Sequence, residues 1–241
     1  VQNFFDMVLS KIREFDSDGT ARDASRDALL EKIEFEKLIR GFFVEMIREL
    51  GRRTGEMHMT LASEMENPDF KPESFSLLYQ RSVYQAMGSQ ARYVFALLKK
   101  QVTRLSPALQ GEASPVLQSE KAIMKRFKTI TQTKYSAKKI RIHGDYHLGQ
   151  VLFTGKDFVI IDFEGEPARS LSERRLKRSA LRDIAGMLRS FHYAVFATLL
   201  LHKSIREEDI IALESAADFW YAHISDIFIN AYFETIGKAE F

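Results

Sequence analysis

Residues 141–167 read RIHGDYHLGQVLFTGKDFVIIDFEGEP, and they decide the fold because a sequence that is helical on both sides stops being helical here. KIRIH (139–143), QVLF (150–153) and DFVIID (157–162) are short β-branched or aromatic runs. The last two are separated by Thr154, Gly155 and Lys156, which reads as a hairpin. The same stretch concentrates the polar residues that carry chemistry, and such residues are commonly held on loops by rigid elements.

Outward from the hairpin the period changes to that of helices. From Asp27 to Met65 apolar residues recur at Leu29, Ile33, Ile39, Phe42, Phe43, Met46, Leu50, Met57 and Leu61, until Asn67 and Pro68 break the pattern. This predicts one long one-sided helix, or two joined near Gly51. A second helix follows the start at Pro72, Glu73 and Ser74 and runs through Tyr79, Val83, Met87, Val94 and Leu98 to a break at Ser106 and Pro107. A third opens at Ser114 and Pro115, where serine can cap free N–H groups and proline fits the first turn. Helical period returns from Ser179 to Leu201, and again after Ser204, which with Glu207 forms a capping box for a helix through Tyr232. The expected fold is mainly α with one small β hairpin, a single domain over residues 1–241, with no internal repeat.

Composition narrows the function classes. A chain of 241 residues with 45% hydrophobic content can bury a core. Lys and Arg number 35 against 33 Asp and Glu, so a net charge of +2 gives no case for nucleic acid or an anionic membrane surface as partner. Absence of cysteine removes disulfides and thiol chemistry and fits a cytoplasmic location. The most apolar run, Ala194 to Leu201, falls far short of the roughly 20 residues a membrane span needs.

Two chemistries fit HGDYHLGQ. On a strand, His143, Asp145 and His147 would point the same way and suit zinc or iron, although Gly144 and Gly149 weaken such a strand. The other reading takes in Gln150, five residues after Asp145, and Asp162 at the end of the second hairpin strand. An aspartate in a loop, an amide shortly after it and a second aspartate at a strand end are what magnesium-assisted phosphoryl transfer uses. Asp145 would accept the attacking hydroxyl's proton, and Gln150 and Asp162 would hold Mg²⁺ on the phosphates of ATP.

HGDYHLGQ together with IDFEGEP resembles the catalytic and metal loops of the aminoglycoside-phosphotransferase-like kinases. Most of that superfamily has asparagine where this chain has Gln150. The glutamine, with DFEGEPARSLSERRLKRSALRDIAGMLRSFHYA, is similar to the maltokinases, including those fused behind trehalose synthases, over a match from about Leu50 onward. The resemblance implies the C-terminal lobe of a protein-kinase-like fold, with residues 139–162 as catalytic loop and hairpin. It implies transfer of the ATP γ-phosphate to maltose, giving maltose 1-phosphate. Asp145 would be the catalytic aspartate, Gln150 and Asp162 the metal ligands, and Asp183 a group steadying the loop through its backbone.

Around this set, His143 is expected to orient the loop, and His147 to face sugar or solvent. Glu164 and Glu166 are candidates for sugar hydroxyls, or plain loop acids. Trp220 is a candidate for stacking on a sugar or, at helical spacing with Leu213 and Ile227, a core residue. The run ERRLKR (173–178) is either a solvated face or an aid to phosphate approach, and His58 reads as a satisfied polar group against the core. The resemblance also implies an N-terminal lobe with a phosphate loop, a lysine and a glutamate. Residues 1–26 resemble the inter-lobe segment that follows it, so the N-terminal lobe is expected to be absent, the chain to be a piece of a longer protein, and the isolated piece to be nearly inert. Another small-molecule kinase, with an aminoglycoside or choline-like acceptor, and a non-catalytic interaction module are the alternatives.

Overall fold

The computed structural model describes residues 1–17, 34–201, 205 and 207–241. In chain order the elements are α1 (Gln2–Ser17), α2 (Phe35–Leu38), α3 (Gly41–Ala62), β1 (Glu73–Ser74), α4 (Leu77–Gln101), α5 (Pro107–Gln118) and α6 (Glu120–Lys128). There follow β2 (Lys138–Lys139), β3 (Val151–Phe153), β4 (Phe158–Ile160), α7 (Leu171–Arg174), α8 (Leu181–Leu201) and α9 (Glu207–Ile236). The fold is mainly helical with two short antiparallel strand pairs, β1 with β2 and β3 with β4. The chain divides into two compact units, residues 73–139 with Glu240, and the remainder.

The larger unit is built on α9. Its buried residues Leu213, Ala216, Ala217, Trp220, Ile224, Phe228, Ala231 and Tyr232 follow the helical period, and α1, α3 and α8 bring Phe5, Leu50, Met187 and Phe191 against the same core. Each such large apolar side chain contributes about 1.5–3 kcal/mol on burial. Helix α3 approaches α9 closely because glycine stands at two positions one turn apart. A Cβ on Gly51 would lie 2.5 Å from the Phe228 carbonyl oxygen, and one on Gly55 would lie 2.8 Å from Thr235 Cγ2. Gly51 therefore marks a close helix crossing, and α3 runs through it unbroken.

The smaller unit holds α4, α5 and α6. Ser76 caps α4 by accepting the Tyr79 N–H at 3.2 Å, and the buried Gln80 amide donates to the carbonyls of Ile130 (2.6 Å) and Thr133 (2.7 Å).

The structure corrects the expected elements in several places. The third helix starts at Pro107, not Ser114: Ser106 and Pro107, read as a break, are themselves the cap and first-turn proline, and Pro115 lies inside α5. That serine-proline pair carries the same signal as Ser114 and Pro115, and spacing alone did not rank them. A second strand pair joins the expected hairpin, and of KIRIH only Lys139 is in a strand, with Ile140 forming a single bridge to Arg178. The pattern starting at Asp27 is broken at Ile39 and Arg40 between α2 and α3. Its Leu29 and Ile33, and the Ser204 of the capping box, lie outside the described residues.

One described helix is long and apolar enough to cross a membrane by length and composition: α8, 21 residues, whose most apolar 18-residue stretch has a mean hydropathy of 1.4. Counting only the unbroken apolar run at 194–201 missed it, because apolarity here is spread over the whole helix. One face of it packs into the core, where Met187, Phe191, Val195 and Leu199 are buried and Asp183 is buried with hydrogen-bond partners, while Leu181, Tyr193, Leu200 and Leu201 on the same helix are exposed.

Candidate active site

The loop 143–150 has little regular structure, so its backbone groups need partners from elsewhere. Helix α8 supplies them along one stripe, at positions 183, 186 and 190. Asp183 is 1% exposed, and its carboxylate accepts the His143 N–H at 2.8 Å and the Gly144 N–H at 3.0 Å. Three residues on, Gly186 lets the loop touch the helix: a Cβ there would lie 2.6 Å from the Tyr146 carbonyl oxygen. One further turn along, Ser190 Oγ accepts the Leu148 N–H at 3.1 Å. Three contacts spaced as i, i+3 and i+7 thus hold the loop on either side of Asp145.

Beneath the loop lies a buried polar network. His58 Nε2 donates to Asp183 at 3.1 Å, and its Nδ1 faces the Tyr232 hydroxyl at 3.1 Å. Tyr146 bonds through its hydroxyl to Thr54 Oγ1 at 2.8 Å, and Thr54 donates to the Leu50 carbonyl at 2.8 Å. Burial pushes both tyrosine hydroxyls well above their ordinary range, and the Asp183 carboxylate adds to this, so both stay protonated as donors. On α3, Gly51, Thr54, Gly55 and His58 share one face, a small and polar stripe that the apolar period of the sequence did not bring out.

His143 joins the two halves of the site. Its Nδ1 accepts the Asp145 N–H at 3.3 Å and its Nε2 donates to the Ile161 carbonyl at 2.8 Å, which places the ring proton on Nε2. One imidazole thus ties the residue at 145 to the residue preceding Asp162. With both nitrogens engaged, His143 has none free for a metal. His147 Nδ1 accepts the Gly149 N–H at 3.0 Å, and among the described residues no group of three or more His, Cys, Asp or Glu could hold an ion. The zinc or iron arrangement of His143, Asp145 and His147 is not assembled.

The hairpin brings Gln150 and Asp162 together. Pairing of Val151 with Ile160 puts both residues at its open end, where the Ile161 N–H donates to the Gln150 carbonyl at 3.0 Å and Gln150 Nε2 donates to Asp162 Oδ2 at 2.9 Å. Among the described residues Asp162 is the one non-glycine at positive φ, 65°. Aspartate tolerates this left-handed conformation better than most residues, and such strain collects at functional sites. The Asp162 carboxylate and the Gln150 amide oxygen, brought to the same end of the hairpin, are a hard donor set, suited to Mg²⁺ rather than to a soft metal.

At the other end of the hairpin, Arg53 of α3 forms a two-pronged pair with Asp157, Nε to Oδ1 at 2.8 Å and Nη2 to Oδ2 at 2.6 Å. This guanidinium, with the Phe158 N–H, holds the Asp157 carboxyl down at about 2. The clamp fixes the hairpin over an open recess of about 320 Å³ lined by Met57, Leu61, Phe158, Ile160 and Phe163.

Of the remaining candidates, Glu164 is exposed, and Glu166 is half-buried beside Gly144 and Gly165 in a narrow recess. Trp220 lies in the core, 3% exposed, with its ring stacked on Phe43 at 5.9 Å. Its surroundings there are α1 and the Leu38–Phe43 segment.

Comparison with known proteins finds likenesses to glucosamine kinases in sequence and in fold. No protein-family model matches the chain. It is 25% identical over 101 residues to a glucosamine kinase of Streptacidiphilus jiangxiensis, an overlap of 42% of this chain and 22% of that protein. It is 43% identical over 56 residues to a glucosamine kinase of Mycolicibacterium smegmatis, covering 23% of this chain and 14% of that protein. In structure, 98% of the chain superposes on 48% of a glucosamine kinase (crystal form A) with a TM-score of 0.60 and 19% identity. A glucosamine kinase in complex with glucosamine, ADP and inorganic phosphate matches with the same TM-score and identity over 49% of its length. At that identity the likeness is one of fold, and the chain spans about half the length of these solved structures. The sequence relatives and the fold neighbours are alike glucosamine kinases, which supports a relationship of this chain to sugar kinases.

Proposed function

We propose that this chain carries the catalytic loop and cation-binding hairpin of an ATP-dependent sugar kinase, as the C-terminal lobe of a protein-kinase-like fold. The observation that supports it most is the strained Asp162, paired with Gln150 and linked through His143 to the Asp145 loop. Strain is retained where surrounding structure imposes it, and here it falls on a carboxylate whose preceding residue is tied through His143 to the Asp145 loop.

In this reading Asp145 accepts the proton of the attacking sugar hydroxyl while the γ-phosphoryl group is transferred in line. Its loop cannot drift, because Asp183 and Ser190 hold backbone N–H groups on both sides of it. Positioning of this kind supplies much of the rate in phosphoryl transfer. His143 orients the loop and does not react, since both its nitrogens are engaged. Gln150 and Asp162 would hold Mg²⁺, which when bound neutralises phosphate charge. His147, Glu164 and Glu166 are the groups nearest in sequence to the two aspartates that could meet sugar hydroxyls. A preceding lobe would supply the lysine and phosphate loop, and a trehalose synthase domain is a further candidate partner in the same protein. Use of ATP and a soluble sugar fits a cytoplasmic location.

The finer reading of the acceptor is maltose, giving maltose 1-phosphate. It rests on Gln150 and on DFEGEPARSLSERRLKRSALRDIAGMLRSFHYA, which are similar to the maltokinases. A second reading, glucosamine, is favoured by the relatives and the fold neighbours. The full-length protein that carries this chain should be assayed with Mg·ATP against maltose, glucosamine and an aminoglycoside. Maltose 1-phosphate formation is expected. Turnover of glucosamine alone would replace the acceptor, turnover of the aminoglycoside alone would replace the sugar-kinase reading, and no turnover with any of them would favour a non-catalytic module.

A further inference from the structure

The segment that follows Asp162 has almost no regular structure between residues 161 and 170, so something else must fix its path. Arg174 does so from α7. That short helix is set by a reciprocal cap, in which Ser170 Oγ accepts the Glu173 N–H (3.4 Å) and the Glu173 carboxylate accepts the Ser170 N–H (3.2 Å). From α7 the guanidinium reaches back along the chain. Its Nε donates to the Arg169 carbonyl at 2.9 Å and its Nη2 to the Pro167 carbonyl at 2.8 Å. The planar fork of arginine can satisfy two carbonyls at once, which an ammonium cannot do with the same geometry.

The stem of the same side chain rests on Gly165, where an added Cβ would meet Arg174 Cβ at 3.4 Å and Cγ at 3.5 Å. Gly165 is buried at φ 77° and in turn faces Gly144: a Cβ on Gly144 would stand 3.4 Å from the Gly165 Cα. Arg174, Gly165 and Gly144 are therefore packed one on the next, and Gly144 is covalently joined to Asp145. Glu166 stands in the same recess, with Arg178 and Arg182 also lining it.

We infer that Arg174 is a positioning residue for the acceptor sugar: it straps residues 163–169 into a wall beside Asp145 and so sets where Glu164 and Glu166 stand. This rests on the sugar-kinase reading. The charge run at 173–178 thus contains a side chain directed inward onto backbone carbonyls, not only a solvated face.

The test uses Arg174→Ala and Arg174→Lys in the full-length protein, reading the sugar KM, the ATP KM and amide hydrogen exchange over residues 163–169. In the alanine variant the sugar KM should rise about 10-fold with the ATP KM within about 2-fold, and lysine should restore it only in part. Exchange over 163–169 should quicken. A lowered Tm with both KM values unchanged would mark a merely structural role and overturn the inference, as would an equal rise in both. If the wild-type protein phosphorylates no sugar, the sugar-kinase reading fails and the acceptor role fails with it. Unchanged exchange over 163–169 in an otherwise active enzyme overturns the strap alone.

Discussion

Replacing Asp183 by asparagine keeps the size and shape of the side chain and removes its charge and one acceptor. In the structure the carboxylate takes three donors: the His143 N–H and His58 Nε2 on Oδ2, and the Gly144 N–H on Oδ1. The amide would place its oxygen at the Oδ2 position to keep two of them, which leaves its NH₂ facing the Gly144 N–H, donor against donor. An unsatisfied buried donor costs about 1–3 kcal/mol and loss of charge assistance roughly 1 kcal/mol for each remaining bond, so Asp183→Asn should destabilise the protein by about 3–5 kcal/mol. That is a large share of the roughly 5–15 kcal/mol by which domains are stable. Guanidinium unfolding followed by circular dichroism reads it. Since the orphaned N–H belongs to the residue before Asp145, kcat should also fall, by on the order of 10²-fold. A double-mutant cycle with His58→Ala should show coupling of at least about 1 kcal/mol between the two residues. An Asp183→Asn protein within about 0.5 kcal/mol of wild type and fully active would refute the claim that this carboxylate organises the loop.

Gly186→Ala should lower both stability and turnover, since the new methyl would lie 2.6 Å from the Tyr146 carbonyl oxygen and must push the loop off α8, at about 1–3 kcal/mol; thermal unfolding and kcat check it, and Ala185→Gly next to it controls for helix propensity. Asp157 gives a pH test. Its carboxyl is depressed by Arg53 from 3.8 to about 2, so the clamp stabilises the fold above 3.8 and loses that contribution as pH falls toward 2. Stability measured across that window should fall less steeply in Asp157→Asn than in wild type, and the difference should shrink in high salt because the pair is partly exposed.

The hairpin and the aspartates on it were legible because the signals are local: turn residues between two apolar runs, and an amide and a carboxylate at fixed distances from Asp145. Their meeting followed from register, since pairing Val151 with Ile160 leaves Gln150 and Asp162 at one end. Asp183 was reached only through resemblance, although its stripe with Gly186 and Ser190 was present in the sequence. A glycine and a serine on an apolar helix carry no mark that a loop 40 residues away will dock there. Arg53 with Asp157, and His58 with Tyr232, were illegible for the same reason: each pair joins residues about 100 or more apart in the chain, and only tertiary packing brings them together. The misplaced start of α5 shows the opposite limit, where two identical serine-proline signals compete and packing selects one.

The most direct test of the central claim compares Asp145→Asn with Asp162→Ala in the full-length protein, using steady-state phosphorylation of the acceptor sugar by Mg·ATP. Asparagine at 145 keeps the side chain's size and removes the proton acceptor, so kcat should drop at least ~10²-fold with the sugar KM little changed. Alanine at 162 removes a proposed cation ligand and should raise the ATP KM as well as lower turnover. Wild-type turnover in the Asp145→Asn protein would contradict the assignment of Asp145 as the base and, with it, the account of the loop.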